Sequence, residues 1–151
     1  METAYFAAGC FWGIEKKFSQ LDGVCSTRVG YMGGVTQNPT YETVCRKKTG
    51  HAETVEIVFD PDRISFKQTL EYFFKWHDPT QKDRQGFDIG SQYRSAIFPT
   101  GNAQKLIAIN YIKDLTNEKK FSREIVTNVE KCDIFWEAEN YHQKYLEKRN
   151  I

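Results

Sequence analysis

Long apolar runs are missing from this chain of 151 residues, and so is any excess of charge. No stretch approaches the roughly 20 apolar residues that a membrane-spanning helix needs. The 21 basic and 20 acidic residues nearly cancel, which leaves no electrostatic case for a nucleic-acid or membrane partner. Cysteine is sparse: four residues, at positions 10, 25, 45 and 132, with no C-x-x-C pair among them. That spacing argues against a zinc cluster and against a thioredoxin-type dithiol, so no metal is expected. There is also no linker, internal repeat or low-complexity segment, so a single domain over 1–151, long enough to bury a core, is expected. If Cys10 carries chemistry, there is no room before it for a cleaved leader, and a cytoplasmic location follows. In a reducing compartment the four cysteines should be mostly free thiols.

Aromatic residues, by contrast, make up 15 % of the chain, many of them in polar or glycine-rich stretches, which hints at an aromatic-lined site. The stretch Gly9-Cys10-Phe11-Trp12-Gly13 follows a short apolar run, Tyr5 to Ala8, and precedes a pattern that sets Phe11, Ile14, Phe18 and Leu21 on one helical face. Strand, glycine turn and helix are therefore expected in that order. Cys10 would lie at the helix start, where unpaired N–H groups and the helix dipole favour the nucleophilic thiolate. Phe11 and Trp12 could wall a small apolar pocket. The plainer alternative is a buried cysteine acting as a small hydrophobe.

Further along, Val24 to Tyr31 is expected as a strand, and Gly30 to Gly50 as a long loop holding Tyr41. Loops of that length inside compact domains usually carry function. Thr54 to Phe59 alternates as a strand ended by Asp60-Pro61, and Glu53 has the parity of Val55, Ile57 and Phe59. Glu53 should then point to the buried face, where desolvation raises its pKa and makes it a candidate general acid. Lying just before the strand, it could instead turn to water. Ser65 with Gln68 opens a helix as a capping box, with Phe66, Leu70, Phe73 and Phe74 as its stripe. After it come a polar loop with Asp88, a strand over 93–98, and a helix over 102–117 with Leu106, Ile109 and Ile112 inward. A possible edge strand over 122–129 and a last helix over 137–149, with His142 and Tyr145 on one face, complete the pattern. The expected fold is α+β: a two-layer sandwich with a ferredoxin-like mixed sheet core, helices packed mainly on one face, and long functional loops.

Several motifs go beyond periodicity. Gly-Cys-Phe-Trp-Gly at 9–13, Gly-Tyr-Met-Gly-Gly at 30–34, Pro-Thr-Tyr-Glu-Thr-Val-Cys at 39–45 and Thr-Gly-His-Ala-Glu at 49–53 occur in that order. His-Asp-Pro-Thr at 77–80, Gly-Phe-Asp-Ile-Gly-Ser-Gln-Tyr-Arg-Ser at 86–95 and Glu-Asn-Tyr-His-Gln-Lys-Tyr at 139–145 follow. Together they closely resemble the A-type peptide methionine sulfoxide reductases over nearly the whole chain. The resemblance implies reduction of methionine S-sulfoxide, free and in proteins, as repair of oxidative damage. It implies Cys10 as nucleophile, Glu53 as proton donor, and Tyr41 and Tyr93 as hydroxyl donors to the sulfoxide oxygen. Phe11 and Trp12 would cradle the substrate methyl group, and Asp88, His142 and Tyr145 would line the pocket.

The resemblance also implies a cysteine sulfenic acid that an external thiol must reduce, thioredoxin or glutaredoxin with glutathione, with no bound cofactor. Relatives often carry resolving cysteines in a tail beyond the last helix. Here Cys25 and Cys132 are the remaining candidates for that role, with Cys45 read as structural and a monomer expected. Two other functions compete. One is a cysteine-dependent acyl-transfer hydrolase pairing Cys10 with His142 or His51, and it needs a histidine within hydrogen-bond reach. The other is a non-catalytic methionine or peptide-binding module.

Overall fold

Alternating apolar residues near the start of the chain build the centre of a six-stranded sheet in the computed structural model, which describes residues 1–46 and 49–151. Strand β1 (Glu2–Ala8) leads into helix α1 (Phe11–Ser19), which buries Phe11, Ile14 and Phe18, the stripe its spacing predicts. Strand β2 (Val24–Met32) returns, the short helix α2 (Tyr41–Cys45) follows, and then β3 (Ala52–Phe59) and α3 (Phe66–Trp76). A small hairpin of β4 (Arg84–Gln85) and β5 (Asp88–Ile89) precedes β6 (Ser95–Phe98) and α4 (Asn102–Asn117). Two short strands, β7 (Asn128–Val129) and β8 (Trp136–Glu137), and a last turn of helix, α5 (Tyr145–Lys148), finish the chain.

The strand order is β7-β6-β1-β3-β2-β8, antiparallel throughout except for the parallel β6–β7 pair. It is a mixed sheet in an α+β fold. Residues of one parity (Phe6 and Ala8 of β1, Val55 and Ile57 of β3) pack with Phe11, Phe18, Leu70 and Phe73 from α1 and α3. Phe6 is the hub, stacked on Phe18, Phe66 and Phe73 at 5.0–6.0 Å between ring centroids. The opposite parity (Ala7, Ala52, Ala96) meets Phe98, Met32, Phe135 and Cys132 instead. Small side chains there let irregular chain lie close to the sheet.

Five expectations are corrected. The loop over Gly30–Gly50 is shorter than expected: β2 runs to Met32, and Thr40 opens α2 through a capping box with Thr43; Lys47 and Lys48 of that span lie outside the described residues. Tyr93 belongs to a 3₁₀ turn, Ser91–Tyr93, and its strand begins at Ser95. Over 122–129 only Asn128 and Val129 pair, because Val126 N–H goes to Pro79 O instead of a strand partner. Helix α4 buries Gln104, Ala108 and Leu115 while Leu106 and Ile109 are exposed, so its inward face is rotated from the one that the large apolar residues suggest.

The last helix is the largest departure. Residues 137–149 form β8, a 3₁₀ turn at Asn140–His142, a left-handed Lys144 (φ 52°) and α5. Long-range bonds hold this irregular path. The Gln143 amide accepts from Val29 N–H at 2.9 Å and donates to Val29 O and Ala138 O, copying a strand partner. The buried Glu15 carboxylate accepts from Lys144 N–H at 2.8 Å and from Thr27 Oγ1 at 2.9 Å.

Candidate active site

The turn at Gly9 sets the geometry. Its φ of +90° suits glycine, and a Cβ there would come within 2.7 Å of Gln85 Cβ, so the β4–β5 hairpin packs directly on this backbone. Cys10 follows as the N-cap of α1, half-buried. The helix start acts in the expected direction, since the Trp12 and Gly13 backbone N–H groups pull the thiol pKa down. Burial acts more strongly, and with the charges of Glu53 and Asp88 it pushes the thiol up to about 11. The expectation of a standing thiolate is therefore corrected. Desolvation outweighs the helix terminus, and the free site holds a protonated thiol.

Glu53 lies on β3 beside Cys10. Phe11 N–H donates to its Oε1 at 3.2 Å, while its Oε2 is buried without a hydrogen-bond partner among the described residues. Glu53 is 2 % exposed, and burial raises its pKa to about 8 against the opposing pull of Phe11 N–H. A carboxyl in this state is protonated at neutrality. Because Oε1 already accepts a hydrogen bond, the proton belongs on Oε2, which has no acceptor among the described residues.

Tyr41 opens α2 and Tyr93 ends the 3₁₀ turn. Burial raises the pKa of both hydroxyls; Tyr41 also feels a hydrogen bond with Cys45, and both feel the charge of Glu53. Asp88 is exposed on β5, yet its charge reaches Cys10, Glu53 and Tyr93. Trp12 stacks on Tyr145 at 3.7 Å and 5° between planes, and its indole N–H donates to His142 Nδ1 at 2.9 Å. The His142 ring also packs against Phe11, Tyr41 and Tyr141 at 4.1–5.3 Å. The structure thus brings Cys10, Phe11, Trp12, Tyr41, Glu53, Asp88, Tyr93, His142 and Tyr145 to one end of the sheet, although His142 and Tyr145 share no helix.

Two groups escaped the sequence reading. Glu139 accepts from Tyr31 O–H at 2.9 Å and from Tyr41 N–H at 3.0 Å, and so fixes the start of α2. Gln143 binds the segment carrying His142 to β2. Both contacts are too long-range for any local pattern to reveal.

Cys25 and Cys132 are not brought to Cys10. Tyr31 is paired with Glu53 at the site end of β2, and Cys25 lies at the other end, about 20 Å away along an extended strand. Cys132 packs against the cluster that includes Ala7, Ala52 and Ala96, and the Ala52 side chain points to the sheet face opposite Glu53. Cys10, Cys25 and Cys132 are free thiols. Among the described residues no cluster of His, Cys, Asp and Glu could hold a metal ion, and no helix is long and apolar enough to cross a membrane.

A family model described as peptide methionine sulfoxide reductase matches residues 2–151. The chain belongs to that family. A peptide methionine sulfoxide reductase MsrA of Acidobacterium capsulatum is 56 % identical over all of this chain and 97 % of that relative. The reduced form of Mxr1 from Saccharomyces cerevisiae covers 99 % of this chain and 86 % of its own at 33 % identity, with a TM-score of 0.91. Methionine sulfoxide reductase A of Corynebacterium diphtheriae covers 99 % and 75 % at 38 % identity, with a TM-score of 0.85. The yeast Mxr1 has also been solved in complex with Trx2. This peptide methionine sulfoxide reductase is therefore a peptide-methionine (S)-S-oxide reductase, an oxidoreductase acting on sulfur.

Proposed function

We propose that a single catalytic domain reduces methionine S-sulfoxide, free or in polypeptides, by attack of Cys10 on sulfur while Glu53 protonates the oxygen. The observation that carries this is Glu53 Oε2, buried without a hydrogen-bond partner among the described residues on a carboxyl whose pKa burial raises to about 8. A sulfoxide oxygen supplies an acceptor for its proton. Sulfoxide sulfur is a poor electrophile until its oxygen is protonated, so the acid is needed at the moment of attack. As the Cys10 sulfur bonds to the substrate sulfur, Glu53 gives its proton to oxygen and then takes up the thiol proton. One proton thereby moves from sulfur to oxygen through a single carboxyl. The hydroxyls of Tyr41 and Tyr93 would hold the oxygen as charge develops. Trp12, fixed by His142 and Tyr145, would pack on the methyl group with Asp88 at the mouth, while Phe11, fully buried against Tyr31 and His142, would back the pocket and, contrary to expectation, not touch the substrate.

Transfer of the hydroxyl to Cys10 releases methionine and leaves a sulfenic acid. One external thiol then condenses with it to a mixed disulfide and water, and a second releases Cys10. The separation of Cys25 and Cys132 from Cys10 supports an external reductant over an internal disulfide. The complex of the yeast relative with Trx2 supports a thioredoxin-type protein in that role, with glutaredoxin and glutathione as the alternative. The strand order β6-β1-β3-β2, with α1 and α3 as crossovers, supports a ferredoxin-like core.

The hydrolase reading lacks a base. His142 Nδ1 accepts from Trp12, so the neutral ring carries its proton on Nε2 and has no lone pair for Cys10. His51 is occupied by Gly34 N–H at 3.0 Å and Thr36 O at 2.8 Å. The test is turnover of separated S and R methionine sulfoxides with dithiothreitol. The wild type should reduce the S epimer and Cys10→Ser should not; full turnover by the variant would end the proposal.

A further inference from the structure

The motif His-Asp-Pro-Thr at 77–80 and the nearby Gln85 take no part in the chemistry above, yet they close around the backbone next to Cys10. His77 Nδ1 meets Phe73 O at 2.6 Å, so that nitrogen carries the proton, and Nε2 accepts from Ser95 Oγ at 2.7 Å. Ser95 is paired with Ala8, the last residue of β1. The chain at His77 is therefore tied to the strand pair that delivers Gly9. The Gln85 side chain grips the next residue: its Oε1 accepts from Asp78 N–H at 2.8 Å, and its Nε2 donates to Asp78 O at 2.9 Å. With the amide held there, the Gln85 stem lies against Gly9, where an added Cβ would come within 2.7 Å of Gln85 Cβ and 2.8 Å of its Cγ. Gln85 is also paired with Asp88 in the hairpin, so both side chains leave the same face.

Gly9 is a joint between two fixed pieces. Strand β1 is held on both sides, by β3 and β6, and α1 is held by its buried Phe11, Ile14 and Phe18. The peptide that joins them can still turn, because glycine populates many backbone angles. Cys10 does not stop it, being an N-cap without a side-chain hydrogen bond. The Gln85 stem occupies the space into which the joint would swing. We propose that Gln85 is a positioning residue: braced on the Asp78 backbone, it seats Gly9 and so fixes Cys10 at the start of α1 beside Glu53. This rests on the assignment of Cys10 as the attacking thiol. An attacking atom displaced by about 1 Å loses roughly 10²-fold in rate. The two bonds to Asp78 carry the effect, since a stem without its brace is free to move off Gly9.

The experiment compares the wild type with Gln85→Met, which keeps the stem and loses both bonds to Asp78. The control is Gln81→Met, which removes the 2.7 Å bond from Gly86 N–H to Gln81 Oε1 and leaves the contact with Gly9 in place. The readouts are kcat and KM for N-acetylmethionine S-sulfoxide with dithiothreitol at pH 7, and the rate at which iodoacetamide labels Cys10, followed by peptide mapping. Gln85→Met should lose about 10–100-fold in kcat with KM within about threefold, and Cys10 should be labelled faster as water reaches it. Gln81→Met weakens the same hairpin but should keep the wild-type kcat and the wild-type labelling rate. Should Gln85→Met not fold, Gln85→Asn, whose amide is one carbon short of Asp78, carries the same expectation. A Gln85 variant with the wild-type kcat, an equal loss of kcat in Gln81→Met, or unchanged labelling of Cys10 would overturn the positioning role. Turnover of the S-sulfoxide by Cys10→Ser would instead overturn the assignment of Cys10, and this inference with it.

Discussion

A carboxyl with one oxygen held by the Phe11 amide and the other facing nothing is neutral at pH 7 because burial withholds solvation from its charge. Removing the ionisable group should separate chemistry from stability. Glu53→Gln keeps the shape and loses the acid, so kcat for S-sulfoxide should fall by about 10²–10⁴-fold. In the wild type the acid is lost as pH rises through about 8, and turnover should fall there too. The linkage runs the same way. A folded pKa above the unfolded value near 4.5 contributes stability that is complete below pH 4.5 and is lost as pH rises through about 8. Thermal unfolding of Glu53→Gln should therefore match or fall below the wild type near pH 5 and exceed it above pH 8. At Cys10, with the thiol pushed to about 11, alkylation by iodoacetamide should be slow at pH 7 and rise steadily with pH. The burial of Glu53 was legible from strand parity, because alternation fixes which side chains share a face. The state of Cys10 was not, since a motif shows the helix start but not how much solvent is removed.

At the scale of elements, regular pieces were readable and irregular ones were not. The spacing of Phe11, Ile14 and Phe18, and the Ser65–Gln68 cap, define α1 and α3 because the signals lie within one or two turns. Residues 137–149 carry a helical pattern, but bonds from Gln143 and Lys144 to partners 114 and 129 positions away override it. Helix α4 was misread in part: Ile112 packs against the core as expected, but the small Ala108 takes a fully buried position while Leu106 and Ile109 face water. Ala108→Leu should cost about 1–3 kcal/mol by overpacking, whereas Leu106→Ala should stay within about 0.5 kcal/mol; urea denaturation distinguishes the two. Glu139 ties α2 to β2, and its pKa lies below the usual carboxylate range: burial pushes it up, but the hydrogen bonds from Tyr41 N–H and Tyr31 O–H outweigh that. Its contribution is present above the unfolded pKa and is lost as pH falls through the folded one. Glu139→Ala should cost about 1–3 kcal/mol near neutrality, with a lower kcat as Tyr41 loosens, both checked on the same preparation.

For the whole molecule, the sheet keeps Cys25 and Cys132 away from Cys10, one at the far end of β2 and one across the sheet, whereas Cys45 bonds to Tyr41 at the site. A Cys25→Ser, Cys132→Ser double variant should turn over with thioredoxin at the wild-type rate. After one turnover without reductant, mass spectrometry of the wild type should find no disulfide from Cys10 to either residue. The pocket itself joins the two ends of the chain: Cys10, Phe11 and Trp12 from one, His142 and Tyr145 from the other. Local patterns identified those residues singly, and only tertiary structure put them together. On the ribosome, Cys10 emerges more than 130 residues before the segment that completes its surroundings. Until then Trp12 has neither His142 nor Tyr145 to hold it, so a nascent chain that stops short of Tyr145 carries the cysteine without a finished site.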